Sequence, residues 1–535
     1  LPPPLLFQIC EETMTSERKR IRVTYSTLSS PDPLLHQYFD EDVATAKANF
    51  GKTYPFHING NWQAGASTFA KHSPIDTHLL VGHFAEGTAS DVQTAVAAAK
   101  AAYPAWKSTP WQERVRLLRK VADLISERLF YISAVVTLEV GKNRLEAIGE
   151  VEETADLIRY CADAMEANNG FAKPMANETE RNENLSVLKP YGVWGVISPF
   201  NYPAALSGGP AGAALIAGNT VVHKPAPEAP YSTYLLAECF VDAGLPAGVY
   251  NMVSGHDEPG KAIVAHPDVA GLTFTGSYAV GMSILRNFAP GGAYVRPVIA
   301  EMGGKNPTII TEKADIEKAA WGVARSAFGL TGQKCSACSR VFVHSSVKAP
   351  FLQRLVEITE KLVVGDPTIR ETYMGPIINQ SAYERFVRAV NDAQAAGGTV
   401  LTGGKTLDRS GWFVSPTVID GLPSDHYIWT TELFAPVLVV GEFSDNASAM
   451  QRANQVDLGL TAGFFSEDPQ EVQWFTDNIE AGVLYINRAA GATTGAWPGY
   501  QAFGGWKGST GTNKAAGSHY YLQQYLREQS HSFVK

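Results

Sequence analysis

Two thiols stand three residues apart in the stretch TGQKCSACSR, Thr331 to Arg340. A C-x-x-C pair is compatible with zinc ligation or dithiol redox chemistry, and a cysteine among small neighbours with nucleophilic catalysis. Zinc needs two further Cys or His at ligand spacing, and neither Cys10, Cys161 and Cys239 nor the scattered histidines supply a second pair. No metal is therefore expected. Cys335, flanked by Gly332, Ser336 and Ala337, lies where small side chains admit a substrate and backbone amides, so it is the expected nucleophile, with Cys338 packing behind it. A base is offered by Glu301. Its apolar approach VRPVIA and the glycines after it predict a carboxylate held in a partly dry, flexible site, where burial raises its pKa toward working pH.

These residues need elements to hold them. From 88 to about 168 the pattern is helical. Ser90 with Gln93 and Thr109 with Gln112 read as capping boxes, with Pro110 at a first helical position, and Leu117, Leu118, Val121, Leu124 and Ile125 share one face. Residues 177–190 read as an exposed hairpin. After Tyr191, short apolar strand-like runs alternate with helical ones: GVWGVISP, AGAALIAG, TVVHKP, YSTYLLAECFVDAG, GVYNMV, GLTFTG and SYAVGMSILRNF. This rhythm predicts a parallel sheet with helices on its faces, and it brings SPFN, HKPAPE and FTGS to one rim outside the strands' carboxyl ends. A second alternation begins near Met302, with PTIIT, a helix over 314–328, RVFVHSS, a helix over 349–363, APVLVVGEF and GVLYIN. The segment HYYLQQYLREQSHSFVK reads as alternating or helical and available to pair with another subunit.

The 535 residues carry a net charge of -9, with no Lys/Arg cluster interleaved with aromatics, so nucleic acid is not an expected partner. No apolar run reaches the length of a membrane span. Five cysteines in so long a chain form no disulfide framework, which points to a reducing, cytoplasmic setting. Residues 1 to 13, ahead of Met14, read either as a leader or as a short ordered arm.

SPFNYP (198–203), FTGS (274–277), EMGGKNP (301–307), GQKCSA (332–337), TELFAP (431–436) and FGGWKGS (503–509) occur in the order and spacing of the aldehyde dehydrogenase superfamily, and the chain resembles that family over roughly residues 50 to 530. The resemblance implies an α/β, aldehyde dehydrogenase-like fold: two Rossmann-like parallel-sheet domains plus a small β oligomerisation domain. It divides the chain into an N-terminal arm (1–50), a dinucleotide-binding domain (51–170 and 191–302), a catalytic domain (303–502), and an oligomerisation segment with a substrate loop (171–190 and 503–535), assembled as a homo-oligomer, dimer, tetramer or larger. In that family Cys335 adds to an aldehyde, the Asn201 amide and the Cys335 N–H hold the oxyanion, and Glu301 activates water on the thioester; relatives that pass the acyl group to coenzyme A typically lack this glutamate. The implied cofactor is NAD or NADP, bound by Ile197, Ser198, Pro199, Phe200, Lys224, Pro225, Gly255, Gly260, Phe274, Gly276, Ser277, Glu432 and Phe434. Many relatives read K-P-S-E where this chain has KPAPE, so Pro227 replaces a ribose-gripping glutamate and the choice between NAD and NADP stays open.

Within the family, EVGKN (139–143), SPFNYP, GQKCSA and GTNKAAGSHYYL (511–522) look nearest to L-glutamate γ-semialdehyde (1-pyrroline-5-carboxylate) dehydrogenases, with a broad-specificity aldehyde dehydrogenase as the alternative. A turn formed by Gly508, Ser509, Thr510 and Gly511 is expected to anchor the substrate carboxylate through consecutive N–H groups, with Ser336 adding a hydroxyl and Tyr202 covering the aliphatic stem. Two rival classes are weighed against this. A cysteine hydrolase normally needs a histidine partner, and only His223 lies near any of the motifs. A ligand-binding scaffold on the same fold leaves the joint presence of Cys335, Glu301 and Asn201 without a purpose.

Overall fold

The computed structural model describes residues 18–290, 293–492 and 497–535. The readings of Cys10 and of a start at Met14 lie outside the described residues.

Two seven-stranded sheets carry the chain. The first contains β1 (Phe56–Ile58), β2 (Asn61–Gln63), β3 (Val193–Ile197), β4 (Thr220–Lys224), β5 (Tyr250–Met252), β6 (Val269–Thr275) and β7 (Val298–Glu301). Their spatial order is β7-β6-β3-β4-β5-β1-β2, with β3 to β7 parallel and β1 and β2 added antiparallel at one edge. β4 is buried throughout and β3 nearly so, which is why these runs read as continuously apolar. The order reverses between β3 and β6, so a crevice opens outside the carboxyl ends of those two strands.

The second sheet is built from β8 (Asn306–Ile310), β9 (Cys338–His344), β10 (Thr399–Thr402), β11 (Thr417–Asp420), β12 (Val437–Phe443), β13 (Thr461–Phe465) and β14 (Val483–Ile486), in the order β10-β11-β12-β9-β8-β13-β14. All its pairings are parallel except β10 with β11. Only Met302 to Lys305 separate the last strand of the first sheet from the first strand of the second. A third sheet joins Ala172–Pro174, Asn182–Pro190 and Leu526–Val534 in antiparallel pairing. The late segment is thus a short 3-10 turn followed by a nine-residue strand.

The helical stretch resolves into α1 (Ala89–Ser108), α2 (Trp111–Glu127), α3 (Leu129–Val140) and α4 (Arg144–Ala167). Its first cap differs from the expected one. Thr88, in extended backbone, accepts from the Asp91 N–H while Asp91 accepts from the Thr88 N–H, so the reciprocal box sits two residues before Ser90. The second also fails: α2 starts after Pro110 with no side-chain cap, because the Thr109 hydroxyl closes α1 on the Ala105 carbonyl. Leu118, Val121 and Ile125 are fully buried, as their spacing requires.

α5 (Ala205–Ala217), α6 (Pro230–Asp242), α7 (Asp257–Ala265) and α8 (Tyr278–Asn287) connect the first sheet's strands, and α9 (Ile316–Phe328) belongs to the second. Buried carboxylates do part of the assembly. Glu139, fully buried near the end of α3, accepts from the N–H groups of Tyr231 and Ser232 and from the Ser232 hydroxyl, and so caps α6. Glu150 of α4 accepts from the N–H groups of Ala204 and Ala205 at the start of α5, and its other oxygen pairs with the fully buried Lys142 ammonium. A buried ion pair that loses one partner leaves an uncompensated charge. K142M is therefore expected to lose about 3–5 kcal/mol of unfolding free energy in urea titrations, and K142M/E150L to regain most of it.

Candidate active site

Cys335 stands three residues before β9, at the end of a 3-10 turn over Gly329–Gly332. Leu330 (φ 47°), Thr331 (φ 57°) and Gly332 (φ 67°) all take left-handed backbone, a conformation ordinary side chains avoid. The turn is buried and tied at several points. Thr331 donates to the Gly375 carbonyl, the Gln333 side chain accepts from Ile378 N–H, and the Leu330 N–H and Lys334 ammonium both donate to Glu146. Burial, with Glu432 and Glu301 nearby, pushes the Cys335 thiol up to about 12, so the sulfur rests protonated. Cys338, the first residue of β9, is buried against the Thr308 hydroxyl. No cluster of three or more His, Cys, Asp or Glu able to hold a metal occurs among the described residues.

Glu301 ends β7. One carboxylate oxygen accepts from the Thr510 hydroxyl at 3.2 Å; the other is buried without a hydrogen-bond partner among the described residues. Burial raises its pKa to about 8, opposed only by the Thr510 bond. The glycines after it also permit close packing. A Cβ on Gly303 would lie 2.0 Å from Glu432 Oε2, and one on Gly304 2.2 Å from the Cys335 carbonyl oxygen. Glu432 accepts from the Gly304 N–H at 2.9 Å, and burial lifts its own pKa to about 7.

Asn201 follows β3, 4% exposed, and its carboxamide has no hydrogen-bond partner among the described residues, which leaves its N–H groups available. Tyr202 beside it lies under the Lys142 ammonium, 3.6 Å from the ring centroid. The Lys142–Glu150 pair therefore fixes this loop twice, through Tyr202 and through the start of α5.

The expected cofactor residues gather at the crevice. Ile197 to Phe200 follow β3, Lys224 and Pro225 end β4, and Phe274 to Ser277 close β6 and open α8. Ser277 is the N-cap of α8, its hydroxyl accepting from the Val280 N–H, so the remaining free N–H groups of that helix start face outward. Lys224 is 7% exposed, and its ammonium makes no ion pair among the described residues; burial lowers its pKa to about 8 while Glu228, Asp257 and Glu86 pull the other way. Gly260 borders Lys224, where a Cβ would reach Cδ at 4.0 Å, and Gly255 turns at φ 142° against Gly87. Phe200 and Phe434 meet edge to face at 5.9 Å, Phe434 in left-handed backbone. An unpaired buried cation, a free helix start and an aromatic slot near the thiol suit a dinucleotide with its diphosphate at α8.

The turn expected to anchor a carboxylate has most of its donors engaged within the protein. The N–H groups of Gly508, Ser509 and Gly511 donate to the carbonyls of Asp457, Trp506 and Ala300. Ser509 is fully buried, its hydroxyl donating to the Gly303 carbonyl and accepting from the Gly459 N–H, and the Thr510 hydroxyl is spent on Glu301. This loop is a strap along β7. The cavity at Cys335, about 70 Å³, is lined instead by Tyr202, Leu206, Ser336, Phe503 and Gly517, with Glu153 also on its wall. Ser336 Oγ and the Gly517 N–H donate to nothing among the described residues. Phe503 and Gly517 escaped sequence reasoning, although Gly517 lies inside the segment GTNKAAGSHYYL that carried the resemblance. No histidine lines this cavity. His223 is buried between the Ser198 and Tyr250 hydroxyls, and its pKa is lowered to about 3, chiefly by burial.

Residues 62–531 match the aldehyde dehydrogenase family. A 1-pyrroline-5-carboxylate dehydrogenase of Staphylococcus epidermidis (strain ATCC 12228 / FDA PCI 1200) is 37% identical over 495 residues, spanning 92% of this chain and 95% of its own. The 1-pyrroline-5-carboxylate dehydrogenase 2 of Bacillus subtilis (strain 168) is 36% identical over 494 residues, 91% and 94% of the two chains. Among solved structures, the 1-pyrroline-5-carboxylate dehydrogenase from Thermus with bound NAD superimposes with a TM-score of 0.92 at 32% identity, covering 98% of this chain and all of that one.

The state of Glu301 is open to a stability measurement. An acid whose folded-state pKa lies above its unfolded value contributes stability that is complete below its ordinary pKa of 4.5 and is lost as pH rises through about 8. E301Q, which cannot ionise, is expected to be more resistant to urea than the parent protein at pH 9, by on the order of 2 kcal/mol, with the gap closing toward pH 5.

Proposed function

Because the chain belongs to the aldehyde dehydrogenase family, whose members oxidise aldehydes with NAD(P), we propose that it converts L-glutamate γ-semialdehyde to glutamate, with Cys335 as nucleophile. The observation that carries the reading is the cavity itself. A short apolar stem fits beside Tyr202, Leu206 and Phe503, while Ser336 Oγ and the Gly517 N–H on the same wall offer donors to a carboxylate. The relatives' names point the same way.

The chemistry follows from the groups present. The Cys335 thiol releases its proton to solvent water as sulfur adds to the carbonyl carbon, and the new oxyanion is met by the Asn201 carboxamide and the Cys335 N–H. NAD(P), when bound, would supply the acceptor for the hydride that leaves that carbon. The acyl group then rests on sulfur as a thioester. Glu301 takes a proton from water as it attacks the thioester carbon; the C–S bond breaks and the thiol is restored with release of the acid. A carboxylate with pKa about 8 is mostly protonated at neutral pH, so it can hold the proton it receives and pass it out. Lys224 would hold the adenosine ribose, the start of α8 the diphosphate, and Glu432 with Phe434 the nicotinamide ribose. We place the protein in the cytoplasm, as a homo-oligomer joined through the edges of the Asn182–Pro190 and Leu526–Val534 sheet, where Phe533 and Val534 are exposed. Among the described residues no helix is long and apolar enough to cross a membrane.

Three measurements test this. C335S should abolish formation of reduced nicotinamide with either cofactor; persistence of turnover near the original speed would end the proposal. In a panel of glutamate semialdehyde, hexanal, benzaldehyde and succinic semialdehyde, the amino-acid substrate should lead in kcat/KM, and S336A should cut its lead by about tenfold; simple aldehydes ahead by that margin would favour broad specificity. Turnover at saturating substrate should rise with pH through about 8 as Glu301 ionises, and E301Q should lose about 10² to 10⁴ in rate together with that dependence.

A further inference from the structure

We propose that Glu146 is a positioning residue: its carboxylate ties the nucleophile turn to α4 and thereby sets the distance between Cys335 and the Asn201 loop. Glu146 and Glu150 stand one turn apart on α4 and so point to the same side of the helix. Glu150 holds the chain just past Asn201, through Ala204 and Ala205. Glu146 holds the chain just before Cys335. Its Oε2 accepts from the Leu330 N–H at 3.2 Å and its Oε1 from the Lys334 ammonium at 2.6 Å, while the Asn143 side chain, which caps α4, donates to Oε2 at 2.9 Å. Two donors that bracket the left-handed turn thus converge on one carboxylate.

The other ties come from elsewhere: Thr331 to the Gly375 carbonyl and Gln333 to the Ile378 N–H run to the segment 375–378, which abuts Gly141, and the Asn306 carboxamide at the start of β8 donates to the Cys335 carbonyl. Glu146 alone among these partners lies on the helix whose Glu150 also holds the start of α5, just past Asn201, so it is the direct tie between the two loops. Its close seat is reserved by Gly329, where a Cβ would come within 2.9 Å of Lys334 Nζ and 3.0 Å of Glu146 Oε1. The cavity lining includes neither Glu146 nor Lys334, so the effect runs through placement of the sulfur and not through contact with substrate.

The inference rests on Cys335 as nucleophile, and its test is read separately from that assignment. In the full chain, E146A should lower kcat by about tenfold or more, leave KM for aldehyde and NAD within about twofold, and slow iodoacetamide labelling of Cys335, followed by peptide mass, by a comparable factor. E146Q, which keeps an acceptor for the Leu330 N–H, should recover part of each loss, and the thermal midpoint should stay within a few degrees. Labelling reports where the sulfur sits whatever reaction it serves, so it judges the clamp even if C335S were fully active. The proposal is overturned if E146A keeps kcat and labelling within about twofold of the parent, or if its losses match its loss of folded protein. Should E146A not fold, K334M removes the other partner and is held to the same two outcomes.

Discussion

The two sheets meet through four residues, and the close contact made there is the constraint on which the site depends. Between Glu301 and Asn306 the chain passes from the last strand of one sheet to the first of the other, and Gly303 and Gly304 bring backbone within side-chain distance of Glu432 and of the Cys335 carbonyl. A side chain at Gly303 would displace Glu432, and one at Gly304 the Cys335 carbonyl and Asn306. Asn306 continues the arrangement, donating to the carbonyls of Cys335 and Ala337. The crossing therefore acts as a hinge pin around which three carboxyl or thiol groups converge, one from each of three distant segments.

That convergence has an electrostatic result. Glu301, Glu432 and Cys335 are half-buried, and desolvation raises each toward its neutral form. Unpaired charge is costly there, so the site is poised to change protonation when a cationic ring or a polarised carbonyl enters. The cations nearby are held differently. Lys224 waits without a partner at the crevice, whereas Lys142 is locked to Glu150 and spends its charge on Tyr202. Positive charge is thus free on the dinucleotide side and committed on the substrate side.

Much of this was legible in the residues. The alternation after Tyr191 matches β3 to β6 and the helices between them, because parallel strands buried on both faces must be continuously apolar; β1, β2 and β7 lie outside its runs. The convergence of SPFN, HKP and FTGS followed from chain direction alone, and Cys335 with Glu301 stood out by neighbours. What could not be read depends on pairing across long distances. GSTG at 508–511 has the composition of an anion-binding turn, but its amides are consumed by carbonyls of residues 300, 457 and 506, which composition cannot disclose. Capping boxes at Ser90 and Thr109 fitted local spacing as well as the actual Thr88 box did; only the backbone path decided between them. Glu146 and Glu150 carry no local signal in the sequence, since their partners lie in loops 184 and 54 residues away.

The sheet formed by Ala172–Pro174, Asn182–Pro190 and Leu526–Val534 pairs Ser186 with Glu528, 342 residues downstream. Tyr525 ties the same region back to the first sheet, taking a bond from Asn219 and another from Thr273. Since a growing polypeptide emerges in order, the strand at 182–190 must wait through synthesis of nearly the whole remainder before its long edge is covered. Throughout that wait, nine residues of unsatisfied backbone face whatever else is in the vicinity, so a nascent chain of this protein is a natural client for holding factors and a late finisher in translation.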